Sequence, residues 1–232
     1  MRKVDLTLIA ALMVAAPIWL AGDAAAQPGQ QKAAAKMKYA FSPVRIPAAA
    51  TTKALNTFSG LVNQDNFRAL GLDTVDTART LKADVAIEEF MVRLDSLAQY
   101  SAGQEPSQLL NKTGRVTIPV LALDQTQSSF SMTKKGRGWE ASGFGGGNHA
   151  RLLNQTRDRL VREQSRGKGD YFEVRVPALG VSFIGNVADG RLLLTPLRSD
   201  ARFGFEAGKT LAAEEAFLKL APAAKEHNRL PT

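Results

Sequence analysis

Apolar positions at Leu55, Phe58, Leu61, Val62, Phe67 and Leu70 recur at helical spacing, and Gly71 closes the segment. Side chains three and four apart share a helix face, so this spacing predicts a helical opening element, broken near Asn63, with a second short helix capped by Asp73. The period then falls from 3.6 to two. Phe90, Val92 and Leu94 alternate with Met91 and Arg93, followed by Val116, Ile118 and Val120 and by Phe130 and Met132. Alternation of this kind puts every second side chain on one face of a strand. Pro119 has no N–H for a ladder, which pushes its strand toward a sheet edge or a bulge. Residues 134–138 (KKGRG) read as a hairpin turn, with Trp139, Ala141 and Phe144 continuing on the return strand.

A glycine-rich stretch, residues 143–147, leads to Asn148, read as the N-cap of a helix that runs to about Ser165. Leu152, Leu153, Thr156 and Leu160 define its buried side. A second meander follows: Phe172, Val174 and Val176, a turn at 177–180, Val181 and Phe183, a turn at 188–190, then Leu192 and Leu194. The last helix starts after Thr210. It carries Ala213, Ala216, Phe217 and Leu220 on one stripe and an i,i+4 pair, Glu215 with Lys219, and Pro222 is expected to kink or end it.

The order is helix, three or four strands, helix, three strands, helix, and hairpin-length connections imply antiparallel pairing. The predicted fold class is therefore α+β, curved antiparallel sheets with packed helices. Cystatin-like and NTF2-like folds share this general shape, an analogy that implies no function. The two strand groups also allow a loose two-half duplication, although no residue motif repeats between them.

Ahead of this region the pattern changes twice. Arg2 and Lys3 precede an apolar run at residues 6–21, which ends in Ala24, Ala25 and Ala26 before Gln27. This order of basic, apolar and small residues is that of a cleaved export signal, residues 1–26, and Pro17 and Asp23 leave the run too short for an uncut membrane anchor. Residues 27–52 are rich in Ala, Gln, Lys and Pro without sustained periodicity and read as a flexible lead-in. The single α+β domain is expected over residues 53–232, with periplasmic delivery favoured over extracellular and no membrane span after cleavage.

Composition supports a folded domain: 44% hydrophobic and 22% charged residues lie far from the signature of disorder. The absence of cysteine excludes disulfides, thiol nucleophiles and thiolate metal sites. The formal net charge is +8, and the signal contributes none of it because Arg2 and Lys3 offset Asp5 and Asp23. Such an excess favours acidic partners, and export makes nucleic acid the least expected of them.

Candidate chemistry is sparse. Residues 131–134 (SMTK) and 112–114 (KTG) match the S-x-x-K and K-T-G elements of penicillin-interacting enzymes in letters only. Their order is reversed, the serine falls in a strand pattern, and the S-D-N element is missing. Ser182 sits in a stretch one residue too long for G-x-S-x-G. His149 and His227 are the only histidines, so no dedicated metal site or cofactor is expected, and His149 reads as a residue of the helix start. The 143–148 turn lacks the phosphate-binding signatures. Glu88 and Glu89 should point to opposite sheet faces, and Asp84, Asp95 and Asp124 read as caps or turns.

What remains is basic. Arg151, Arg159, Arg162 and Arg166 fall within about 80° of arc on the predicted helix, a stripe that Lys134, Lys135 and Arg137 could extend as a docking surface for an acidic partner. Phe203 and Phe205 lie in a loop beside Gly204 and are recognition candidates if exposed. The function expected is that of an exported, non-catalytic binding protein of the cell envelope, its partner an acidic protein or an anionic surface. The competing expectation is a periplasmic hydrolase or small-ligand-binding protein whose pocket is assembled from scattered residues.

Overall fold

A computed structural model describes residues 41–227; the export signal read at residues 1–26, part of the lead-in and the chain beyond residue 227 lie outside the described residues. Helix α1 (Ala48–Leu61) begins ahead of the expected start at Lys53 and buries Ala54 and Phe58. The preceding segment also packs, since Phe41 stacks on Phe172 with ring centroids 4.5 Å apart, and Val44 and Ile46 join the cluster under α1. No helix is capped by Asp73: a short 3-10 turn, Asp76–Thr80, follows Val75 instead.

The strands are β1 (Lys82–Ala83), β2 (Ile87–Val92), β3 (Leu110–Ala122), β4 (Gln125–Lys135), β5 (Gly138–Phe144), β6 (Phe172–Val176), β7 (Val181–Ala188), β8 (Arg191–Pro196) and β9 (Leu211–Ala212). They form one open sheet in the order β5-β4-β3-β2-β6-β7-β8-β9, with β1 beside β3. Helix α2 (Leu94–Ala98) takes Leu94 out of the expected strand. Helix α3 (Gly147–Gln164) links the two meanders, and helix α4 (Ala213–His227) continues through Pro222. The α+β class, with a curved and mostly antiparallel sheet and packed helices, is thus observed.

One pairing departs from the expectation. At the centre β2 and β6 run parallel, pairing Glu89 with Glu173, Phe90 with Val174 and Met91 with Arg175. Parallel neighbours need a long crossover, and the stretch containing α3 supplies it. Pro119 also lies in an interior strand rather than at an edge, immediately before the register shift between Val120 and Leu121 in the β3–β4 pairing, so of the expected edge or bulge it is the bulge that adjoins it. Its carbonyl accepts the Asp84 N–H at 2.9 Å in the gap between β1 and β2. A strand residue aims both backbone groups to the same side, so the missing N–H falls where no ladder runs.

The sheet has two unlike faces. On one, Phe90, Val92, Val174, Val176, Phe183 and Leu194 pack beneath α2 and α4, and Val116, Ile118, Val120, Phe130 and Met132 pack beneath α1. On the other, α3 contributes Leu153 and Leu160 to a smaller apolar cluster with Ile87 and Ile184. Around that cluster the face is polar. Arg157 is fully buried there, donating to Val85 O at 2.7 Å, to Asn154 Oδ1 at 2.6 Å and to Asp84 Oδ2 at 3.1 Å. Asp84 therefore ties the helix to the sheet rather than serving only as a turn residue.

Candidate functional site

Alternation on β6 that sends Phe172, Val174 and Val176 into the core sends Glu173 and Arg175 to the α3 face. The parallel register brings Glu89 alongside Glu173. Their side chains are only 10% and 1% exposed, a costly position for two carboxylates unless cations compensate. Arg175 lies 3.2 Å from Glu89 and 3.7 Å from Glu173. His149, on the first turn of α3, places Nε2 2.8 Å from Glu173 Oε1.

Arg175 and His149 form one wall of an open cleft of about 270 Å³, completed by Ser182, Arg198, Ser199 and Asp200. Asp200 adds little free charge. Arg202 clamps its carboxylate, with Nη2 2.6 Å from Oδ2, and this hydrogen bond holds Asp200 below the usual carboxylate range. Arg198 is exposed and has no hydrogen bond or ion pair among the described residues. Ser182 Oγ likewise makes no hydrogen bond to His149, whose bond goes to Glu173. The cleft thus presents Arg175 and His149, both oriented from beneath by buried glutamates, beside the unpaired Arg198, and its Ser182 hydroxyl is not hydrogen-bonded to the imidazole.

A second depression of about 410 Å³ adjoins the cleft, shares His149 and Arg198 with it, and adds Arg68 and Arg151. Gly71 and Gly147 meet at its floor, where a Cβ on Gly147 would lie 2.6 Å from the Gln127 carbonyl oxygen. The N-cap of α3 is Gly146 in the left-handed region, φ 81°, rather than Asn148. Asn148 is inside the helix and accepts from Arg151 Nη2 at 2.8 Å. The first-turn N–H groups of α3 have no acceptor within the helix, and its dipole favours anions at this end.

The chain matches no family model, no curated protein and no solved structure.

The expected basic stripe is largely committed to the fold itself. Arg151 donates to the Gln127 carbonyl at 3.1 Å, Arg159 to that of Gly208 at 2.6 Å and Arg166 to that of Val187 at 2.8 Å. Arg159 also pairs with Glu163. Arg162 is exposed and has no side-chain partner among the described residues. Lys134, Lys135 and Arg137 stand at the β4–β5 hairpin, with Lys135 paired to Glu140 at 2.7 Å. About eight residues of strand, or roughly 25 Å, separate that hairpin from Gln127, where Arg151 is bound, so the two basic groups do not join.

Phe205 is 4% exposed and meets Phe183 edge-on at 5.3 Å, and Phe203 packs partly buried against the same core. Both loop aromatics are packing residues. Of the stripe only Arg151 reaches the depression beside the cleft. The sequence pattern does not mark Glu173, Arg175, Arg198 or Arg68 as site residues, and it presents Glu89 only as a strand carboxylate beside Glu88. A signal existed at Glu173 and Arg175, charged residues at alternate positions of an otherwise apolar strand, which mark a polar strip facing a neighbour.

Proposed function

We propose that the protein is an exported binding protein of the cell envelope and that the cleft beside α3 receives an anionic group, a carboxylate or phosphate, of its ligand. The observation that carries this reading is Arg198: an exposed guanidinium without a protein partner, beside Arg175 and His149, which buried glutamates hold in place. A guanidinium recognises a planar or tetrahedral oxyanion through two N–H groups, and Arg198 has its N–H groups free for one. The formal charge of +8 draws such ligands toward the surface. This is the pocket-based form of the binding function, and it moves the acidic partner's contact from the α3 stripe to the helix's first turn.

Titration of the mature protein with inorganic phosphate tests it. Saturable binding is expected, and Arg198→Ala should weaken it about tenfold, the loss of roughly one charge-assisted hydrogen bond of 1.5 kcal/mol or more. Equal affinity in the two proteins would remove the cleft from the account.

A further inference from the structure

We infer that the cleft is one half of a two-pocket groove and that its ligand carries two anionic groups, one seated at Arg175 and Arg198 and the other at Arg68 and Arg151. This inference rests on the anion-binding reading and extends it. The two pockets have His149 and Arg198 in common and so lie side by side at that wall. The second pocket is the more one-sided electrostatically. Arg68, Arg151, Arg198 and His149 line it, and no carboxylate side chain does.

Arg151 is oriented by the Gln127 carbonyl and the Asn148 side chain. Arg68 is exposed and leans over the Phe67 ring, 5.4 Å from its centroid. Three guanidinium groups around one depression repel each other, and an anion relieves that repulsion.

The groove has a definite end. On the far side of Arg151 the surface turns acidic, where Asp73, Asp124 and Asp158 line a separate depression that also includes Arg151. A long polyanion laid past Arg151 would meet those carboxylates. A short ligand that ends its second charge at Arg68 and Arg151 would not. The ligand class is therefore a compact dianion, such as a diphosphate or a short dicarboxylate, rather than an extended acidic polymer or a membrane surface.

Calorimetric titration of the mature protein with inorganic phosphate, with methylphosphonate and with alkane bisphosphonates of increasing spacer length tests this. Two phosphate ions per chain are expected, but a single bisphosphonate. At the best spacer the bisphosphonate should bind at least about tenfold more tightly than methylphosphonate, because the second contact becomes intramolecular. Arg68→Ala should leave one phosphate bound and reduce the bisphosphonate to the affinity of methylphosphonate, and Arg68→Glu should do so more strongly. The Arg68 side chain has no hydrogen bond among the described residues, and its backbone carbonyl still accepts the Gly71 N–H in the variants, so they leave the fold intact, which circular dichroism checks.

A single bound phosphate, with no gain at any spacer and no effect of Arg68→Ala, would overturn the two-pocket inference while the Arg198 cleft stands. Absence of any phosphate or phosphonate binding would overturn both.

Discussion

A guanidinium without solvent needs acceptors on every side, and Arg157 finds most of them on other elements. Its partners are a backbone carbonyl, an amide oxygen and the carboxylate of Asp84. Lys168 adds a second cation 2.7 Å from the same carboxylate and 2.9 Å from Asp158. Burial pushes Asp84 upward, but the hydrogen bond from Lys168, the Val85 amide and the charge of Arg157 outweigh it and hold the group below its ordinary value of 3.8. Arg157→Met keeps much of the volume but strands the Val85 carbonyl and weakens the pairing of Asp84. The expected cost is about 3 kcal/mol, since Lys168 still faces the carboxylate, and urea unfolding at neutral pH measures it.

The sign of the pH effect follows from the lowered value. Asp84 stabilises the fold above its unfolded pKa, and that contribution is lost as pH falls through the still lower folded value. The wild type should therefore lose stability below about pH 4 more steeply than Asp84→Asn. Parallel curves for the two proteins would show that Asp84 does not couple to folding.

Among the elements, the start of α3 shows two opposed effects of one methyl group. In an isolated helix, Gly→Ala gains up to about 1 kcal/mol. At Gly147 the added Cβ would sit 2.6 Å from the Gln127 oxygen and 3.1 Å from the Gly71 Cα, both backbone atoms that cannot turn aside. Overpacking of this kind costs about 1–3 kcal/mol and should win. Gly147→Ala is expected to lower the melting temperature and to weaken phosphate binding, because His149 and Arg151 ride on the same turn. A variant at least as stable as wild type, with unchanged affinity, would mean that the contact between Gly71 and Gly147 does not position the site.

At this scale much was legible from periodicity. The alternating runs in β3, β4, β6, β7 and β8 are the strands observed, and the apolar stripe of α4 with its Glu215–Lys219 pair is present. Elements too short to show a period escaped: β1 and β9 have two residues each, and α2 has five. The sequence predicts a kink or an end at Pro222 because proline removes a helical hydrogen bond; the helix does not end there, and Ala216, Phe217, Leu220, Ala221 and Ala224 are buried on both sides of it. Packing outweighed propensity there.

For the whole molecule, local pattern could not report which distant segments meet. The site draws on residues 68, 89, 149, 173, 175 and 198, and no window of sequence contains more than a pair of them. What brings them together is the parallel pairing of β2 and β6, a long-range contact that hairpin-length spacing argues against. The proposed export belongs to this same scale. Residues 1–26 have the order of a cleaved signal, so N-terminal sequencing of the protein recovered from the cell envelope should begin at Gln27. Retention of Met1 would overturn export by cleavage.

The central seam has one more consequence, for the order of events in folding. Glu89 and its partner Glu173 are about 80 residues apart in the chain. The meander from β2 to β5 can zip up through its own hairpins, but β2 then waits with one side unpaired until β6 arrives. Closing so large a loop is slow, and an unpaired strand edge is a template for mispairing with other chains. Conditions that delay the arrival of β6 should therefore yield aggregates joined through residues 87–92, whereas a chain released in one piece can close the seam upon itself.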